Sequence, residues 1–198
     1  WTRCCDGRYN DAAVERGLSQ ISKSLDRLVK KGTLTTEQKD AALKRVKGST
    51  TYADFKGLQL VIEAATENQA IKEKILKQVD EIVSKETIIA TNTSSLSITK
   101  LAALDSSPSR FIGMHFFNPA TIMKLVEVVT TRFTNRTTTE IIIAFAKQLG
   151  KTPVLCKDSP GFIVNRVARP YYIESLRLVE EDPKPLTLTK WEQISYLA

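Results

Sequence analysis

The sequence contains no run of eighteen apolar residues, so no membrane-spanning helix is expected. Its first ten residues, WTRCCDGRYN, hold no apolar segment of the kind a secretory signal needs. Cysteine is scarce. Of the three, Cys4 and Cys5 are adjacent, which makes them poor disulfide partners, and Cys156 stands alone. No C-x-x-C spacing offers a zinc site. These absences argue against a disulfide-built secreted domain and against a zinc module, and they favour a reducing compartment. Histidine is scarcer still. His115 is the only one, and no cysteine or G-x-S-x-G serine accompanies it in a fitting motif, so a nucleophile triad is not credible.

What is present is an ordinary globular balance. Apolar residues make up 42% and charged residues 26% of 198, enough for one good core, or for one domain plus part of a second. Basic residues outnumber acidic ones by 29 to 22, a net charge of +7. A nucleic-acid binder would concentrate that charge and interleave aromatics. Here the lysines and arginines are scattered along amphipathic helices, which reads as a solvated surface. The sharper alternative is attraction of a polyanionic small molecule, such as a cofactor with phosphates.

Periodicity divides the chain into elements. Between residues 12 and 31 the apolar positions Val14, Leu18, Ile21, Leu25 and Leu28 step by four and three, one face of a long helix that Gly32 stops. Thr35 followed by Gln38 is a capping box, opening a second helix that runs to about Val46. The pair reads as a helical hairpin. Residues 58–64 (LQLVIEA), 87–91 (TIIAT), 110–116, 124–130 and 151–157 read as strands. Helices are expected over 71–82, 98–104 and 138–149. Strands alternating with helices predict an α/β fold with a largely parallel sheet, whose polar sites lie at the carboxyl ends of the strands. Asp158-Ser159-Pro160-Gly161 then breaks the chain. Residues 162–179 look like a helix that opens a second, helical domain, with a kink or interruption expected at Pro170.

The chemistry-bearing residues fall where strands end. His115, in GMHFFNP, closes one strand, and Glu127, in KLVEV, sits on the next, twelve residues on. A strand, a short connection and a returning strand could bring them together. A carboxylate beside an imidazole fixes its tautomer and stabilises the cation formed when it takes a proton. Glu127 is flanked by Val126 and Val128, so burying its charge without a partner would be costly. Ser94, in ATNTSSLSIT, follows the strand TIIAT. Helix capping suits Ser97 there better than it suits Ser94. Asn165, in DSPGFIVNR, lies in the first part of the next helix, where asparagine has mediocre propensity and a polar task is plausible.

Singly these signals are weak; together they are specific. NTSSLSI, GMHFFNP, KLVEV and DSPGFIVNR, in this order and spacing, resemble the L-3-hydroxyacyl-CoA dehydrogenase family, including the bacterial 3-hydroxybutyryl-CoA dehydrogenases, over about residues 12–181. The resemblance implies a Rossmann-like, mostly parallel sheet with an inserted helical hairpin, over residues 1–157. The start of an all-α domain would follow over 158–198. It implies that His115 is the general base, that Glu127 pairs with it, and that Ser94 and Asn165 hold the substrate oxygen. IEAATEN resembles the family's motif on the nicotinamide side of the NAD site, which implies cofactor contacts for Ala64, Glu67 and Lys72, with Asn92 and Asn118 shaping the same edge. In the hairpin, SLDRLVKK puts Ser24 and Lys31 at the positions that meet coenzyme A. The implied reaction oxidises L-3-hydroxyacyl-CoA to the 3-oxoacyl-CoA, His115 taking the hydroxyl proton as the hydride passes to NAD. The implied partners are an acyl-CoA and a second copy of the chain, with neither nucleic acid nor membrane. The implied location is the cytoplasm, with a mitochondrial matrix as the alternative.

The chain also departs from the family pattern. Full members begin with a strand and a G-x-G-x-x-G turn whose backbone N–H groups hold the pyrophosphate. That turn is absent from this sequence. The family's acidic ribose-binding position falls at Arg8, with Asp6 two residues out of register. The opening and the last seventeen residues both look unlike the family, so truncation or alteration at both ends is expected. The sheet is then expected to lack its first, central strand and to expose an apolar edge. The alternative to an active enzyme is an acyl-CoA-binding or interaction protein derived from one.

Overall fold

The computed structural model describes residues 2–4 and 11–181. The hairpin comes first. Helix α1 spans Asp11–Lys30 and buries Ala13, while the rest of its apolar stripe is half-buried. It ends as the sequence predicts. Thr33 N–H donates to Leu28 C=O and Gly32 N–H to Val29 C=O, with Gly32 at φ 69°, the paired return bonds that a left-handed glycine makes possible. Helix α2, Thr36–Arg45, opens on the expected capping box: Gln38 N–H donates to Thr35 Oγ1 at 3.2 Å and Thr35 N–H to Gln38 Oε1 at 2.9 Å.

The opening residues add a strand that the sequence does not announce. Thr2–Cys4 forms a strand, β1, and pairs in parallel with Val46–Gly48, β2, so a strand does stand ahead of the hairpin. Three residues are too few to show a period, and β2 begins where α2 was expected to end. Among the described residues, β1 and β2 form a sheet of their own.

The main sheet has five strands in sequence order: β3 Leu60–Glu63, β4 Ile88–Thr91, β5 Phe111–Phe116, β6 Leu125–Thr130 and β7 Thr152–Lys157. All neighbours are parallel except β5 and β6. Helices α3 (Gln69–Ile82), α4 (Ile98–Ala102) and α5 (Arg136–Gln148) connect them, and α6 (Val164–Glu181) follows β7. Side-chain alternation splits the sheet into two faces. Ile89, Phe111 and Val129 join Ile75, Leu76 and Val79 of α3 and Ile98 and Leu101 of α4 in one core cluster. Ile88, Ala90, Ile112, Met114, Val126 and Val128 join Ile142 and Ala146 of α5 in the other. Ile62, on the outer strand β3, is 37% exposed, in keeping with the expected open edge.

Two features place the site. Gly113 on β5 has no side chain where a Cβ would come within 2.3 Å of Ile98 Cδ1, so α4 can sit directly on the sheet. The turn before α4 is thereby held over the end of β5. Helix α6 then runs through Pro170 without the expected break. The carbonyl that loses its partner there belongs to the exposed Arg166, where water can satisfy it. No helix among the described residues is long and apolar enough to cross a membrane.

Candidate active site

His115 and Glu127 stand directly opposite one another on the antiparallel pair β5–β6. Opposed residues of such a pair share a face, so the register itself brings the two side chains together. They lie on the same face as Phe111, Gly113 and Val129, beneath α4. His115 Nδ1 and Glu127 Oε2 are 2.7 Å apart, and the two residues are 3% and 1% exposed. Nδ1–H donates to the carboxylate, which leaves Nε2 as the ring's free valence. Nε2 lies 3.1 Å from Ser94 Oγ. The rings of Phe117 and Phe162, at 4.7 and 5.5 Å between centroids, fix the imidazole plane.

The buried carboxylate needs more than one partner, as its valine flanks foretell. Its second oxygen, Oε1, accepts from the backbone N–H groups of Ile163 and Val164, each at 2.9 Å. Val164 opens α6, so Glu127 also occupies the positive end of that helix. The chain reaches this geometry through a tight turn in which Gly161 has φ 74° and Phe162 φ 49°. A left-handed phenylalanine costs about 1–2 kcal/mol. Burial of its ring against His115 offsets that cost.

Asn165, the second residue of α6, donates from Nδ2 to Ser94 C=O at 3.3 Å. Asp158, at the end of β7, accepts from Ser97 Oγ at 2.9 Å and Thr99 N–H at 2.8 Å. Ser97 also caps α4, the role its position suggests. Burial pushes the Cys156 thiol up to about 11, with the carboxylates of Glu127 and Asp158 adding to the effect, so this cysteine is neither a thiolate nor a nucleophile near neutral pH.

A cleft of about 280 Å³ opens beside this group. It is lined by Ala64, Ala65, Thr66 and Glu67 after β3, Asn92 and Ser94 after β4, and Phe116 and Asn118 at the end of β5. All three segments follow the carboxyl ends of strands, as the fold class predicts. Ala64, Glu67, Asn92 and Asn118 therefore share one cleft, with Ser94 at its junction with the His–Glu pair. Asn92 is anchored by Phe116 N–H, which donates to its Oδ1 at 2.9 Å. Ala65, Thr66 and Phe116 were not singled out in the sequence. Ala65 and Thr66 sit within IEAATEN, where the motif could have marked them, whereas the backbone donors of Ile163 and Val164 have no side-chain signal at all.

Lys72 stands apart from the other residues expected at the cofactor. It is 0% exposed and outside the cleft lining, and its ammonium is paired with Glu63 and hydrogen-bonded to Thr91 Oγ1 and Asn92 C=O, both at 3.4 Å. Glu63 in turn accepts from Thr91 Oγ1 at 2.7 Å and Ala65 N–H at 2.8 Å. The pair ties β3, α3 and β4 together behind the cleft, because a buried ammonium lowers its cost by taking the nearest carboxylate. Ser24 and Lys31 lie on the hairpin, which contributes no residue to the cleft lining.

Residues 5–159 match the family described as 3-hydroxyacyl-CoA dehydrogenase, NAD binding domain. The chain belongs to the 3-hydroxyacyl-CoA dehydrogenase family. A 3-hydroxybutyryl-CoA dehydrogenase from Clostridioides difficile is 42% identical over 172 residues, 87% of this chain and 61% of that protein. A fatty acid oxidation complex subunit alpha from Pseudomonas syringae is 40% identical over 85% of this chain and 23% of its own length. The crystal structure of an (S)-3-hydroxybutyryl-CoA dehydrogenase from Ralstonia eutropha superposes with a TM-score of 0.88 at 52% identity, covering 90% of this chain and 62% of that one. The chain thus spans about three-fifths of these two 3-hydroxybutyryl-CoA dehydrogenases. Within this family, the ribose-binding position, which falls at Arg8, and the irregular tail lie outside the described residues.

Proposed function

We propose that the chain interconverts L-3-hydroxyacyl-CoA and 3-oxoacyl-CoA, with NAD as the hydride partner and His115 as the general base. The observation that carries this reading is the held imidazole: Nδ1 lies 2.7 Å from a buried carboxylate, and Nε2 is turned to Ser94 at the edge of a cleft. The cleft suits the nicotinamide end of the dinucleotide. Ala64 and Ala65 leave room for a flat ring, while Glu67, Asn92 and Asn118 supply acceptors and amide donors around it. When bound, NAD supplies the hydride-accepting ring.

The residues of the chain supply the rest. His115 Nε2 takes the 3-hydroxyl proton, and Glu127 stabilises the imidazolium that results. Its second oxygen, fixed by two backbone N–H groups, keeps the carboxylate from turning with the ring. Ser94 Oγ and Asn165 Nδ2 hold the substrate oxygen as it becomes a carbonyl. Phe117 and Phe162 limit water around the imidazole, which strengthens each of these interactions. General-base help of this kind contributes roughly 10²–10⁴-fold.

The reading extends to the rest of the molecule. Residues 1–157 act as the cofactor domain, and 158–198 open a helical substrate domain. Ser24 and Lys31 on the hairpin meet coenzyme A. The active form is a homodimer, working in the cytoplasm as suits the bacterial relatives, with the mitochondrial matrix as the alternative. The test follows NADH consumption with acetoacetyl-CoA, alongside calorimetry for NAD and for acetoacetyl-CoA. Turnover that His115→Gln abolishes is the expected result. Acetoacetyl-CoA binding without NAD binding or turnover would replace the enzyme with an acyl-CoA-binding derivative of it.

A further inference from the structure

Glu67 is exposed, yet both of its oxygens are engaged by one short segment. Oε2 accepts from Thr93 Oγ1 and Oε1 from the backbone N–H of Ser94, each at 2.7 Å. The Thr93 hydroxyl also accepts from Ser95 N–H at 3.3 Å and Leu96 N–H at 3.1 Å, so it is saturated and its residue is fully buried. Ser94 is consequently gripped on both sides, at its N–H by Glu67 and at its carbonyl by Asn165 Nδ2. What remains free to act is its hydroxyl, which faces His115 Nε2.

We propose that Glu67 is a positioning residue for the reaction, setting the Ser94 hydroxyl against the imidazole from across the cleft. The inference rests on the proposed dehydrogenase function and goes beyond a cofactor contact for this residue. A carboxylate has about four acceptor sites, so Glu67 can hold Ser94 and still face the cleft. Because the side chain is exposed, removing it leaves the core intact, and its effect is separable from folding. Ser94 acts at the reacting oxygen, and a misplacement of about 1 Å there costs roughly 10²-fold in turnover.

His115 is the only histidine, so one imidazole signal reports the contact without any turnover. Nitrogen-15 spectra of the full chain are compared for wild type, Ser94→Ala, Glu67→Ala, Glu67→Gln and the double alanine variant. Ser94→Ala moves the Nε2 resonance by removing its hydroxyl partner. Glu67→Ala moves it in the same direction, Glu67→Gln moves it less because its amide oxygen still accepts from Ser94 N–H although its NH2 group meets the saturated Thr93 hydroxyl, and the double variant matches Ser94→Ala alone. In steady state, Glu67→Ala lowers kcat by roughly 10–10²-fold. It has no further effect when added to Ser94→Ala. An Nε2 resonance unmoved by Glu67→Ala but moved by Ser94→Ala overturns the proposal, as does one that Ser94→Ala fails to move. Additive losses in kcat overturn it too. If the wild type shows no turnover, the functional reading falls while the resonances still decide the role of Glu67.

Discussion

Strand β5 has a buried, nitrogen-rich side chain at each end, and the two are built to opposite purposes. Arg110 precedes the strand and His115 stands near its end, each 3% exposed. Arg110 commits four of its five N–H donors. Its Nε and Nη2 reach Asp105 at 3.0 and 3.2 Å, Nη2 also pairs with Asp80, and Nη1 donates to Ser84 C=O. A guanidinium cannot lose its proton in a protein, so this end is fixed in charge as well as shape. His115 has one nitrogen held as firmly, while the other faces a single hydroxyl beside a cleft. The closed end welds α3 to the sheet; the half-committed end leaves a ring nitrogen open to receive a proton. One strand therefore divides stability and chemistry between its amino and carboxyl ends.

The comparison can be broken at either end. The largest effect is expected from Glu127→Gln. The glutamine oxygen can still accept from Ile163 and Val164 N–H, so the fold persists. Its amide then faces His115 Nδ1 as a donor and forces the proton to Nε2. Turnover should drop by roughly 10²–10⁴-fold with little change in melting temperature. Near-normal turnover would mean that the pair is only structural.

Arg110→Ala should do the reverse. It strands the carboxylates of Asp105 and Asp80, costing about 3–5 kcal/mol of unfolding free energy in denaturant titration. The kcat of the protein that remains folded should be unchanged; a selective loss of kcat would erase the division between the two ends. Gly161→Ala tests the join between them and α6. A Cβ there meets Arg166 N at 2.9 Å on a backbone with φ 74°. A loss of more than about 1 kcal/mol is expected, together with lower turnover as α6 pulls Ile163 and Val164 from Glu127. A stable variant with full activity would show that the turn does not set the carboxylate.

The smallest effect is electrostatic. Burial alone would raise the Asp80 carboxyl, but hydrogen bonds from Ser106 and the charges of Lys85 and Arg110 outweigh it and hold the group below 3.8. A depressed carboxylate stabilises the fold above its ordinary value, and that contribution is lost as pH falls through the lower folded value. The stability gap between wild type and Asp80→Asn should be constant above about pH 5 and shrink below it. A gap that instead widens on acidification would reverse the assignment.

Most of the sheet was legible because its strands are short apolar runs set between helices that repeat with the period of one buried face. The nearness of His115 and Glu127 was legible in part, since a returning strand can bring them together, but the register that sets them directly opposite comes from the pairing of β5 with β6. Other parts left no mark. Strands β1 and β2 are too short for a period. Lys72 sits in a motif that suggests a ligand contact, but whether its ammonium reaches the cleft or turns to Glu63 depends on packing between α3 and β4. The donors that complete Glu127 are peptide groups of Ile163 and Val164, and any residue carries those. The grip of Glu67 on Ser94 spans 27 positions of sequence and exists only once β3 and β4 are neighbours.

The central claim is that Glu127 holds the proton of His115 on Nδ1 and leaves Nε2 to receive one. Nitrogen-15 labelling of the lone imidazole measures this directly at a pH where the ring is neutral. The account predicts a protonated Nδ1 and a bare Nε2 in the wild type, exchanged in Glu127→Gln. A wild-type ring protonated on Nε2, or one indifferent to that substitution, would contradict it.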